Sequence, residues 1–227
     1  TEDHDSGDKT FLGQTGRFNG EDIVDIIVQQ PATAKFIARH LYSFFVADEP
    51  QVPAWPTASP TDAEAVELIA ETLVGSGLEI TPVLRTIFNA DFFKRAMYKK
   101  VKSPIEVVVG TQRLTRDMEG PHPGWPLLVM EPARMGQAIY DPPTVEGWHE
   151  GTEWIDSGAL VERVNFVAKE LGNVAKPGVQ AIIDRLARED SGTLTPEQLV
   201  DRCLDLAGPI EVSGSSRNTL VEYAKRE

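Results

Sequence analysis

Apolar residues recur at helical spacing along most of the 227-residue chain. Asn19 suits an N-cap, and Ile23, Ile26 and Ile27 behind it predict a first helix ending near Gln30. Pro31 suits the first turn of a second helix, which carries Phe36, Ile37, Leu41, Phe44 and Phe45. That apolar face is broad, so the second helix is expected to be the central, most buried one. Thr61-Asp62-Ala63-Glu64 reads as a capping box with Thr61 at the N-cap, opening a helix through Leu73 that stops at Gly75 and Gly77. Thr81-Pro82 starts another helix with Val83, Leu84, Ile87 and Phe88 inward, and the short segment Asp91-Phe92-Phe93 follows. A second box, Ser103-Pro104-Ile105-Glu106, opens a helix to about Asp117. Leu127 to Ile139 reads as helical, with Pro132 the point at which it would divide. Further helices are expected from Gly158 to Leu171, from Gly178 to Arg188, from a third capping box at Thr195, and from Ser216 to Lys225.

Between these runs lie loops rich in Pro and Gly: Ala47 to Pro60, Glu119 to Pro126, and Tyr140 to Trp154. Residues 1–19 read as an irregular polar lead-in, and no alternating run predicts a strand; Val107 to Val109 is β-branched but lies in a capped helical frame. The expectation is an all-α fold, an irregular multi-helix bundle with long Pro/Gly/Trp-bearing loops. A change in composition near Gly172 to Pro177 suggests a main helical domain over 1–172 and a C-terminal helical extension over 173–227 packed on it.

Charge narrows the partners. The formal net charge of −13 disfavours nucleic acid and anionic membranes, both of which repel an acidic surface. No apolar run approaches the roughly 18 residues that a membrane-spanning helix needs. The single cysteine, Cys203, rules out an intrachain disulfide and is expected as a buried, inert thiol on an amphipathic helix. The chain opens Thr1-Glu2-Asp3-His4-Asp5 without Met, as a processed protein or a piece of a longer one would.

Candidate chemistry concentrates in two places. Asp3, His4, Asp5, Asp8 and Lys9 form the densest polar cluster. Asp3, Asp5 and Asp8 resemble part of a calcium loop, although Gly7 is displaced and Gln14 stands where such a loop needs Glu. They are the candidate ligands for a divalent metal, the one cofactor the cluster suggests. His4, Asp5 and Lys9 are the candidate catalytic groups, with His4 as a base oriented by Asp5. A plain solvated loop is the competing reading. The second place is the tryptophans, all expected outside helices. Trp125, Trp148 and Trp154, with His149, are the candidate ligand-binding residues, since loop Trp can stack on a flat ligand such as a sugar ring; closing a helical core is the commoner use of Trp. The histidines show no local metal-ligand spacing, and His40 reads as a satisfied interior or boundary residue. Phosphate-loop and nucleophile-elbow patterns are missing from the sequence.

Ordered blocks give these motifs a wider context. His4-Asp5 precedes Lys9, Leu12-Gly13 and Gly16; Pro31-Ala32-Thr33-Ala34-Lys35-Phe36-Ile37-Ala38-Arg39-His40-Leu41 leads to Phe44-Phe45-Val46. Lys102-Ser103-Pro104 precedes Glu106-Val107-Val108-Val109-Gly110. The last block is Gly136-Gln137, Pro142-Pro143-Thr144-Val145-Glu146-Gly147-Trp148, Trp154 and Arg163-Val164-Asn165-Phe166. Together, over roughly residues 4–166, they resemble the bacterial domain-of-unknown-function family 1800. The family usually has Lys at the position of His40, which argues against a catalytic role for that side chain. The resemblance implies a longer exported protein with a further helical half on the N-terminal side. It also implies a sulfatase-like exported protein as a partner, and no established activity. Two functions follow as expectations: a binding or assembly module acting with a partner protein or polysaccharide, and a metal-assisted hydrolase using the His4/Asp5 region.

Overall fold

A computed structural model describes residues 5–117, 120–121, 123–188, 194–208 and 210–226. Its contacts divide into two units, Thr1–Lys100 and Val101–Glu227. The expected boundary at 172/173 falls inside the second.

The first unit begins with a hairpin, where an irregular lead-in was expected. Strands β1 (Lys9–Phe11) and β2 (Gln14–Gly16) pair antiparallel around Leu12-Gly13. Both turn residues have positive φ, 45° and 82°, the conformation that matches the twist of a tight hairpin. The Thr10 and Thr15 hydroxyls meet across the strands at 3.0 Å. Three-residue strands are too short for an alternating pattern to register, which is why this element was missed.

Helix α1 (Gly20–Val28) starts at Asn19 as expected. The Asn19 Oδ1 accepts from the N–H groups of Glu21 and Asp22, and Asp22 Oδ2 accepts from Asn19 N at 2.8 Å. Helix α2 (Pro31–Phe45) opens on Pro31 and packs on α1 and on α3 (Ala63–Gly75). Its buried line is Ala34, Ala38 and Tyr42, against Ala65, Val66, Ile69, Ala70 and Leu73 of the core. The small residues permit close approach of the helix backbones, so Phe36, His40 and Phe44, spaced four apart on the other side, face outward. The expected face was therefore partly misplaced: Ile37, Leu41 and Phe45 flank the core, while Phe36 and Phe44 are exposed. Helices α4 (Ile80–Asn89) and α5 (Asp91–Arg95) complete the unit, with Val83 and Ile87 fully buried and Phe88 half-exposed.

The proline loop after α2 is fixed by a buried ion pair. Arg39 Nε donates to Glu49 Oε2 at 2.6 Å, and its other nitrogens donate to Ala58 O and Ser59 O at 2.9 and 3.1 Å. Glu49 Oε1 accepts from Thr61 N at 2.7 Å, and the Thr61 hydroxyl donates to Asp48 O. Thr61 is thus committed to the loop, and Asp62 caps α3 by accepting from Ala65 N, one residue later than expected. Burial, with Asp62 and Glu49 nearby, raises the pKa of the Tyr42 phenol above its ordinary value.

The second unit is built on α6 (Pro104–Thr115), α7 (Trp125–Leu128), α8 (Met130–Arg134) and α9 (Ser157–Leu171). The Ser103 capping box forms as read. The helical stretch expected over Leu127 to Ile139 divides, as Pro132 allowed, into two short helices meeting at Val129, because Pro132 has no N–H to give to Leu128 O; the second ends at Arg134. Short 3₁₀ turns lie at Val52–Ala54 and Gly151–Ile155. Val108, Met135 and Phe166 join α6 and α9 to the chain just beyond α8. Helices α10 (Pro177–Arg188), α11 (Pro196–Ala207) and α12 (Gly214–Ala224) follow, and the Thr195 capping box also forms. Cys203, expected buried, is exposed, and Val200 is the buried residue of α11. Partial desolvation still raises its pKa, which favours the less reactive thiol.

Helix α10 reaches α6 very closely. A Cβ at Gly178 would stand 2.0 Å from Leu114 O, so only glycine fits. Just before it, Lys176 Nζ bonds Glu170 and lies 3.1 Å from Asp117 Oδ2, while Gln112 Nε2 donates to the same Glu170 oxygen at 2.6 Å. Burial pulls the Lys176 pKa down, but bonds from Glu170 and Asp117 outweigh it and leave it above 10.5.

Two predictions follow from these buried charges. Arg39→Ala strands Glu49 in the core and lowers urea-unfolding stability by about 3–5 kcal/mol; a loss under about 1 kcal/mol would show the pair to be dispensable. Lys176 has its pKa raised by folding, so its contribution is complete below the unfolded value near 10.5 and is lost as pH rises through the folded value. Melting temperature should therefore fall across this alkaline window, and by less in Lys176→Met; equal falls would remove Lys176 as the cause.

Candidate functional site

The start of α6 is where residues from separate sequence blocks meet. Ser103 N donates to Glu106 Oε2 at 2.7 Å, and Glu106 N returns a bond to Ser103 Oγ at 3.4 Å. Pro104 offers no N–H, and the next one, on Ile105, donates to Gln137 Oε1 at 2.9 Å. Gln137 is delivered by a left-handed turn at Gly136, φ 96°, which follows α8. A Cβ at Gly136 would stand 4.0 Å from the Trp154 ring. Trp148 Nε1 donates to Ala138 O at 3.1 Å, tying the Pro142–Gly147 loop back to the same turn. From α9, Arg163 Nη1 donates to Lys102 O at 2.7 Å.

Helix α9 explains why Arg163 reaches this point. Its buried positions are Ala159, Arg163, Phe166 and Glu170, one face at helical spacing. Two of the four carry charge. Arg163 is 8% exposed, and its Nε and Nη2 are buried without a hydrogen-bond partner among the described residues. Burial lowers its pKa from the ordinary guanidinium value. In the sequence, Arg163 and Gln137 stand out only as parts of motifs. The available signal was an arginine on the face of α9 that Ala159 and Phe166 mark as buried.

The other candidates lie elsewhere. Asp3 and His4 are outside the described residues. Lys9 Nζ donates to the carbonyls of Asp5 and Gly7 and pairs with Asp5 Oδ2 at 3.7 Å. Asp5 Oδ1 accepts from Gly7 N at 2.8 Å, and Asp8 pairs with Arg17 at 3.6 Å. These bonds fold the segment before β1 onto itself, with the Asp5 and Asp8 carboxylates exposed. Among the described residues no three His, Cys, Asp or Glu side chains are placed to hold a metal ion.

The tryptophans divide by role. Trp154, in the 3₁₀ turn, is 6% exposed and belongs to the interior, and Trp148 is half-buried and hydrogen-bonded. Trp125, expected in a loop, opens α7 and is 46% exposed. It lines a shallow groove of about 520 Å³ with Pro121, Pro123, Pro126 and Val129. His149 Nδ1 lies 2.5 Å from Glu153 Oε2, both exposed. In the first unit, Trp55 Nε1 donates to Pro50 O, and its ring meets His40 at 4.5 Å, Phe36 at 5.4 Å and the Arg39 guanidinium at 4.6 Å. His40, expected as an interior or boundary residue, is exposed at the edge of that cluster.

This division makes a stability prediction. Trp154→Ala should cost about 3–5 kcal/mol in denaturant unfolding, as core truncations of large rings do. Trp125→Ala should cost less than about 1 kcal/mol. Equal costs would show that Trp125 is also structural.

Among the described residues no helix is long and apolar enough to cross a membrane. No curated protein and no solved structure matches the chain. The family comparison does match, over residues 1–227, to the description protein of unknown function (DUF1800). The match covers every block that meets at the start of α6, and the chain belongs to the DUF1800 family.

Proposed function

We propose that this chain is a binding or assembly module of an exported protein, and that the Trp125 groove takes an apolar segment of a partner protein. The observation that carries this reading is a half-exposed indole set among prolines, with Leu127, Val129 and Met130 also exposed beside it. Aromatic anchors of this kind, in preformed apolar surroundings, supply much of the binding energy at protein interfaces. The groove walls are apolar, which favours a protein side chain over a polysaccharide, whose hydroxyls need polar partners. An envelope or extracellular location, and the sulfatase-like exported protein as the partner, come from the family resemblance.

The test is calorimetric titration of the purified sulfatase-like protein, and separately of soluble polysaccharides, into this chain and into Trp125→Ala. Protein binding weakened at least tenfold by Trp125→Ala is expected. Heat only from polysaccharide, or protein binding indifferent to Trp125, would overturn the reading. The metal-assisted hydrolase centred on His4, Asp5 and Lys9 makes a different forecast: a stoichiometric bound ion, with Asp3 and Asp8 as further ligands, and a melt that falls in chelator.

A further inference from the structure

Arg163 carries a charge into the second unit with one hydrogen bond among the described residues, from Nη1 to Lys102 O. The opposite edge of the guanidinium, Nε and Nη2, is buried and bonded to nothing among the described residues. That edge is the one that grips a carboxylate side-on. The same chain shows the geometry filled: Arg217 Nε and Nη2 donate to the two oxygens of Asp201, each at 2.7 Å. A buried guanidinium with three of its five N–H donors unbonded among the described residues is costly, and offsetting the desolvation penalty requires a counter-charge with acceptor oxygens. The neighbouring helix end has the same preference. Arg163 bonds the carbonyl of Lys102, one residue before the N-cap of the twelve-residue α6, whose dipole places positive potential there.

We propose that the Nε–Nη2 edge of Arg163 is the receptor for a single carboxylate, bound as a bidentate pair beside the start of α6. A carboxylate brings one negative charge to one positive charge, whereas a sulfate or phosphate dianion would leave excess charge buried. The two nitrogens are covered, so the ligand enters by local displacement of the side chains over them, and association is slower than to an open site. The site is independent of the Trp125 groove.

The test uses the full chain, melted and titrated with acetate and succinate as free carboxylates, with a blocked glutamate-containing peptide, and with sulfate at matched ionic strength. Wild type should show a saturable rise in melting temperature with carboxylate, weaker by tenfold or more in Arg163→Lys, which lacks the fork, and lost in Arg163→Met. Without ligand, Arg163→Met should melt close to wild type, because the lost bond to Lys102 O is offset by removal of a partly unpaired buried charge; a purely structural arginine would show a large fall. Response to acetate identifies a small-molecule carboxylate, and response to the peptide alone identifies an acidic side chain of a protein. No carboxylate response, a response kept in Arg163→Met, or a sulfate response equal to that of acetate would overturn the proposal. Trp125→Ala should leave the carboxylate response unchanged.

Discussion

The second unit depends on charge buried along one face of α9. Arg163 fastens the early end of that face to the lead-in of α6, and Glu170 fastens the later end to Gln112 and Lys176. The two fastenings run in the same order along both helices, so α9 lies beside α6 in a parallel sense. Between them, Phe166 joins Val108 and Met135 in the apolar core. Buried ion pairs add little net stability over apolar residues of the same shape, but they penalise wrong registers heavily, because a slip leaves a charge unpaired. Among the described residues the Glu170 network is satisfied apart from one Gln112 oxygen, and the Arg163 end is not. This asymmetry separates a structural clasp from a site awaiting a partner.

The same polar logic organises the first unit differently. Arg39 gathers a carboxylate and two loop carbonyls, and Glu49 passes the restraint on to Thr61. A proline-rich stretch that would otherwise be a slack connection holds Trp55 in place, bonded to Pro50 O and against the Arg39 guanidinium. On α2, Ala34 and Ala38 claim the core side, and Phe36 and His40 on the outward side pair with Trp55 of the loop.

Most helices were legible because their ends are written in local chemistry. Asn19, Ser103 and Thr195 bond backbone groups three residues away, and Pro31 presets its own φ, so neither signal needs the rest of the chain. The misreadings arose where a distant residue intervened. Thr61 looked like a cap until Glu49, twelve residues earlier, took its N–H. The hairpin depends on two positive-φ residues, one of them leucine, which pattern does not announce. The membership of the family was legible in ordered motifs, but the meeting of Lys102, Gln137 and Arg163 was not. Residues up to 61 positions apart come together there only through tertiary packing.

The two ion-pair systems differ in how much chain they enclose. Arg39 reaches partners 10 to 20 residues away, whereas the bonds joining α6 to α9 span 58 and 61 residues. Closing a loop about three to six times longer costs roughly 1–1.6 kcal/mol more in chain entropy, before any contact is rewarded. The first unit also pairs its helices with sequence neighbours, α2 with α3 and α3 with α4. Local topology of that kind lowers the kinetic barrier to folding. During synthesis the Arg39 clasp has all its residues once position 61 has emerged, while the α6–α9 seam must wait for α9. The order in which the chain acquires its charges thus sets the order in which its parts acquire shape.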